Sequence, residues 1–203
     1  MATNHGLHVR IARPEHSDSA QAASGTTALT KANIRDAAIA LIRVGTGFVF
    51  LWAFLDKAFG LGYSTPSSKA WIHGGSPTKG FLASVNAGPF QSSFNAWAGH
   101  TWADYLFMIG LAGIGVALIL GVGVRIAALC GTLMVAFMWF AVYPPAKYGA
   151  GGVATGSSNP FVDEHVMDAF ALLAIAVFGA GSRFGLGAWW SKLPLVSRHR
   201  SLV

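Results

Sequence analysis

The chain has 203 residues, of which 53% are hydrophobic and only 11% charged, against about 25% charged in ordinary soluble domains. Fourteen Lys and Arg against eight Asp and Glu leave a formal charge of +6, and the mean hydropathy is +0.50. A disordered chain would be poorer in large apolar residues, a soluble enzyme would need more surface charge, and the bases are too scattered for a nucleic-acid stripe. What remains is an all-α integral membrane protein.

Residues 1–31 are polar, rich in Ala, Ser, Thr and His, and carry no apolar run. They lack the apolar core of a signal peptide. They read as a mature N-terminal tail, disordered when free. A membrane domain over 32–185 follows, with spans expected at about 34–58, 103–122, 124–143 and 165–181. Each approaches the roughly 20 residues that cross about 30 Å of hydrocarbon. The fourth is the shortest and uses Asp163 to Met167 as its interfacial first turn. Few residues join the second and third spans, so these must form a tight antiparallel hairpin, and Pro144-Pro145 stops the third.

The connection 59–102 carries Trp71, Phe81, Phe90, Phe94, Trp97 and Trp102 among its Gly, Pro and Ser. Short helices lying in the membrane interface fit it best. A second loop, 146–162, lies on the same side. Its Gly149–Gly156 stretch has no following Lys-Ser/Thr and is no phosphate loop. The C-terminal segment 186–203 is basic. Nine Lys or Arg fall on the side of the termini and four on the side of the long loops, with Arg43 inside the first span. This puts both termini in the cytoplasm. In the second span, Gly113, Ala117 and Gly121 recur every four residues, a strip that lets helix backbones approach closely. The single cysteine, Cys130, excludes an intramolecular disulfide, a Cys-x-x-Cys pair and a multi-Cys metal cluster. It reads as a small buried filler of the third span.

Ionisable groups in a span are costly and therefore informative. Arg43 lies eight residues after Arg35, about 12 Å along a helix, which puts it well inside the inner leaflet. It can snorkel or bond helix carbonyls and Thr46, face a quinone carbonyl between helices, or pair with another subunit. Asp56 and Lys57 end the first span on the outer side, and Asp163-Glu164-His165 with Asp168 begin the fourth on that side. These acids suit a helix N-terminus. They also fit a polar site with Lys57, in which His165 passes protons at neutral pH. A metal is the weakest reading, because the Glu-x-x-His spacing of di-iron bundles is missing. Lys69, His73, Lys79 and His100 read as solvated loop charges rather than as a cationic mouth for an anion.

Several motifs resemble the DoxX/DoxD family. They are Leu41-Ile42-Arg43-Val44-Gly45, Phe54-Leu55-Asp56-Lys57-Ala58-Phe59-Gly60 and Leu120-Gly121-Val122-Gly123-Val124-Arg125. Asn159-Pro160-Phe161-Val162-Asp163-Glu164-His165 and the long loop 59–102 resemble the DoxD side. The resemblance covers about 34–185. It implies a four-helix bundle in the inner (plasma) membrane of a prokaryote, linked to quinone chemistry. DoxD-type members are associated with thiosulfate:quinone oxidoreductase, which joins two thiosulfates into tetrathionate. Arg43, Asp56, Lys57, Arg125 and His165 are the matching polar residues.

The function expected is thus a membrane subunit of a quinone-linked oxidoreductase of the respiratory chain, of thiosulfate or related sulfur-compound type. Its anion site would lie on the outer face, with Asp56, Lys57, His165 and Asp168 as catalytic candidates and Arg43 as the quinone-binding candidate. No metal or flavin motif is present. The alternative is a non-catalytic accessory subunit of a larger membrane complex. Expected partners are the lipid bilayer and other membrane subunits or further copies of the chain, not nucleic acid. A small-solute transporter fits less well, since no repeated halves are visible.

Overall fold

A computed structural model describes residues 16–86, 88–142, 147–148, 152, 154, 159–178 and 184–199, with side chains of the first helix from Lys31 on. Eight α-helices occur among the described residues: α1 (His16–Phe59), α2 (Lys79–Ser84), α3 (Gln91–Trp97), α4 (Thr101–Leu120), α5 (Val124–Val142), α6 (Glu164–Phe178), α7 (Gly187–Trp190) and α8 (Pro194–Arg198). Two 3-10 turns, Ser67–Lys69 and Trp71–His73, precede α2. Among those residues there is no strand, only one isolated antiparallel bridge between Tyr148 and Ala154. The all-α expectation holds.

The chain divides into two compact units, Met1–Asp36 and Ala37–Val203. In the first, the helix starts at His16, so part of the stretch expected to be disordered is helical. Ala, Gln, Leu and Lys dominate residues 20–31. All four are good helix formers, and the apolar helix that follows supplies a nucleus from which they extend. Arg35 pairs with Asp36 at 3.1 Å in this unit.

Three helical stretches are long and apolar enough to cross a membrane: Lys31–Phe59, Thr101–Leu120 and Val124–Ala141. They match the first three expected spans within a few residues. The fourth, α6, is described over 15 residues, about 22 Å of helix. Residues 179–183 lie outside the described residues, as do Pro144-Pro145, the tail before His16 and most of the Gly149–Gly156 stretch. The surface of these helices is apolar: Leu41, Phe48, Leu106, Ile109, Leu133, Phe137, Phe170 and Val177 are all exposed. So large an apolar exterior is untenable in water and belongs in lipid. The protein is an integral membrane protein.

The core joins the four long helices. Phe50 and Ala58 of α1 pack with Met108, Leu111, Ile114 and Leu118 of α4, Ala128 and Val135 of α5, and Leu172 and Ile175 of α6. The small-residue contact differs from the expected strip. Gly113 faces outward with open space at its Cβ position. The close approach is made by Gly115, where a Cβ would come 2.7 Å from the Leu51 backbone nitrogen, and by Gly47, whose Cβ would meet Leu118 at 2.9 Å. The partner helix selects which glycine face turns inward, and α1 selects Gly115. Cys130 also departs from expectation: it is exposed rather than buried.

The connection between α1 and α4 forms short helices, as expected. Val85 and Phe94 from it bury against Ala141 of α5. A run of rings passes from Trp102 through Trp97, Phe94 and Phe90 to Phe140 and Trp139, with successive centroids 5.3–6.5 Å apart. The Trp139 indole then donates to the Phe161 carbonyl at 3.1 Å. These rings place the entry to α6 against the outer loop.

Candidate functional site

The polar residues gather at the two ends of the bundle. At the loop end, Asp56 sits on the last turns of α1 and is only 1% exposed. Its carboxylate accepts from the Tyr63 amide at 3.1 Å, the Ser64 amide at 3.0 Å and the Ser64 hydroxyl at 2.6 Å. Gly60 makes this reversal possible, because it turns the chain at φ +65, where a Cβ would lie 2.5 Å from Ser67 Cα. Lys57 is half-buried beside it and donates to Ser64 Oγ at 3.3 Å. Asp56 therefore ties the outer loop to the end of α1.

Asp104 does the same for the far part of the loop, and it escaped the sequence reading. It lies in the first turn of α4 and is 6% exposed. One of its oxygens, Oδ1, accepts from the Ser76 hydroxyl at 2.9 Å, the Thr78 amide at 3.0 Å and the Thr78 hydroxyl at 2.6 Å. The available signal was a single acid inside an apolar span, where an ionisable group needs partners.

The third polar group opens α6. Asn159 folds the approach: its side-chain oxygen accepts from the amides of Phe161 at 3.0 Å and Val162 at 2.6 Å. Asp163 then caps the helix, its Oδ1 taking the Val166 amide at 3.2 Å. This fills one of the orphan donors of a helix N-terminus. Its other oxygen, Oδ2, holds His165 Nδ1 at 2.8 Å. An ionised carboxylate only accepts, so Nδ1–H is the donor of this bond, and Nε2 lies outside it. Asp168 follows one turn further along the same helix and is half-buried. His165 thus pairs with Asp163, two residues before it. Among the described residues no hydrogen bond or ion pair joins His165 or Asp168 to Asp56 or Lys57; the two groups bond within themselves.

At the other end, Arg43 is 1% exposed. Its guanidinium donates to the Phe184 carbonyl. It lies against Gly121, the left-handed C-cap of α4 at φ +76, where any Cβ would collide with it. Gly185, at φ +120, closes the cage: a Cβ there would lie 2.6 Å from the Leu120 carbonyl and 3.3 Å from Arg43 Nη2. The Leu186 amide donates to Leu120 O at 2.8 Å. The cation sits at the negative end of the α4 dipole. Arg43 is therefore level with the α4–α5 turn, at the end of a span rather than well inside a leaflet. The carbonyl it bonds, Phe184 O, lies outside the helices, whereas the sequence suggested helix carbonyls and Thr46.

No group of three or more His, Cys, Asp or Glu able to hold a metal occurs among the described residues. The DoxX family model matches residues 38–144, just over half of the chain. The match includes Arg43, Asp56, Lys57, Asp104 and Gly121 and stops short of the α6 entry. No curated protein and no solved structure matches the chain.

Proposed function

The chain belongs to the DoxX family, and from that premise we propose that it is the membrane subunit of a quinone-linked oxidoreductase. The reaction we assign is of thiosulfate or related sulfur-compound:quinone type. The observation that carries this reading is the Asp163–His165 pair at the loop end, with Nδ1 fixed at 2.8 Å and Nε2 available as a base. Reducing a quinone consumes two protons with two electrons. Joining two thiosulfates into tetrathionate releases two electrons and no protons. A subunit serving both halves therefore needs a proton-exchanging group, and a carboxylate-oriented imidazole is suited to that.

In this reading His165 takes protons from the outer water and hands them on through Nε2, while Asp163 holds the ring and stabilises its protonated form. Asp168, one turn along α6, is the second acid beside His165 at this end of the bundle. Lys57 offers a cation for the thiosulfate dianion. Asp56 keeps Lys57 and the loop in place and touches no reactant. Arg43 gives one guanidinium nitrogen to the Phe184 carbonyl and lies at the opposite end of the bundle from His165. The quinone, which accepts the electron pair, is accordingly assigned to the His165 end.

The DoxD side of the resemblance, carried by Asn159 to His165 and the long loop, supports the sulfur-compound substrate. The charge count supports both termini in the cytoplasm of a prokaryotic plasma membrane. The test is reconstitution of the chain, with the protein encoded beside it, in lipid containing a quinone. Quinone reduction on adding thiosulfate is expected. No reduction with any of thiosulfate, sulfite or sulfide would sink the reading.

One observation favours a second reading. Both oxygens of Asp56 and Oδ1 of Asp104 accept from loop donors, which makes the long loop a fixed surface of the kind a non-catalytic accessory subunit presents to a larger complex. A stoichiometric membrane partner, recovered with the chain and active without it, would favour that role.

A further inference from the structure

The segment after α6 carries bases and no acid. From Ala169 to Val203 there are four Lys or Arg and no Asp or Glu. The segment is fixed to the bundle at one level: Arg43 holds the Phe184 carbonyl and Leu120 O takes the Leu186 amide. Leu120 is the last residue of α4, so this level is the end of a span, where hydrocarbon gives way to headgroups.

Beyond this anchor the segment runs as α7 and α8. Val196, 2% exposed, and Gly187 are buried, and Trp190 and Leu193 are half-buried. Trp189 at 58% and Leu195 at 69% point away from the protein, and Phe184 and Leu186 are also exposed. Lys192 and Arg198 are exposed among them. Apolar and aromatic side chains interleaved with bases, held at the depth of the headgroups, form the pattern of a segment lying in a membrane interface. With no acid to balance the bases, the complementary surface is anionic.

We propose that residues 184–199 form a binding surface for anionic phospholipid headgroups in the leaflet at the α4–α5 turn. Trp189 and Leu195 enter the acyl boundary, and Lys192 and Arg198 take the phosphates. The Arg43 cage holds the segment at the depth where both can act.

The test is native mass spectrometry of the full chain in detergent micelles, titrated with phosphatidylglycerol or with phosphatidylcholine. The wild type should retain phosphatidylglycerol preferentially. Lys192→Gln/Arg198→Gln should reduce that retention by up to about twenty-five-fold, a factor of about five for each base lost. Lys69→Gln/Lys79→Gln, which removes two exposed bases from the outer loop, should leave it unchanged. Unaltered helicity of both variants shows that folding is not the cause. Equal retention of the two lipids by the wild type overturns the proposal. So does an equal loss in both double variants, or a preference that survives Lys192→Gln/Arg198→Gln.

Discussion

Replacing Arg43 by Ala should loosen the bundle at the α4–α5 turn. The substitution removes a charge-assisted hydrogen bond to the Phe184 carbonyl, worth about 1.5–3 kcal/mol. It also removes a cation from the C-terminus of α4, worth about 0.3–2 kcal/mol in a partly buried setting. Together these come to about 2–5 kcal/mol. For a chain of this size that lowers the melting temperature by about 4–20 °C. The loss should be local as well as global, because Arg43 and Leu120 hold the segment that starts at Phe184. Limited proteolysis in detergent should cut within 184–199 faster in the variant than in the wild type. Arg43→Lys keeps the charge without the planar fork and should recover about half of the stability. A variant Arg43→Ala with wild-type melting and wild-type cleavage, but no quinone reduction, would refute the reasoning and make Arg43 a ligand-binding group after all.

Three further outcomes follow from the same geometry. Asp56→Ala strands three donors that its carboxylate now accepts; it should cost about 3 kcal/mol and expose the chain near Ser64 to protease, whereas Asp56→Asn, which keeps one acceptor, should cost less. Asp104→Ala should cost about 2–3 kcal/mol by freeing the Ser76–Thr78 stretch, seen as faster hydrogen exchange at the Thr78 amide; unchanged exchange there would contradict the anchor. Gly115→Val should destabilise strongly, because its Cβ position lies 2.7 Å from the Leu51 backbone, while Gly113→Val, facing open space, should melt within about 0.5 kcal/mol of wild type. The reverse order of those two glycine variants would mean that α1 packs on the other face of α4.

The spans were legible in the sequence because a membrane helix needs nothing but a long apolar run, and α4 and α5 end within two residues of the expected limits. The short helices of the outer loop were legible from their aromatic content. What the sequence left open concerns rotation, depth and pairing. Gly113 and Gly115 are both plausible contact residues until α1 is placed, since helix rotation is decided by the neighbour. The depth of Arg43 depends on which residue of α1 meets the end of α4, and counting from Arg35 does not give that. Asp56 was picked out as a site residue for its position at the end of a span. Its actual partners, the Tyr63 and Ser64 amides, exist only once Gly60 has reversed the chain. Asp163 drew attention as a helix cap and is one, but its second oxygen also orients His165, a pairing two residues apart that helix-face arguments do not foresee. Asp104 was overlooked because it stands alone, and its partners lie 26 and 28 residues away in sequence.

The central claim is that the carboxylate-oriented imidazole of His165 exchanges protons for a quinone-linked reaction. The most direct measurement is thiosulfate-dependent quinone reduction by the reconstituted chain with its membrane partner, comparing the wild type with His165→Gln and Asp163→Asn. General acid–base assistance is worth about 10²–10⁴-fold, so His165→Gln should lower kcat by at least about a hundredfold. Asp163→Asn should fall between that variant and the wild type, and both should keep wild-type helicity. Undiminished turnover in His165→Gln would contradict the account and leave the outer end of the bundle with a structural role alone.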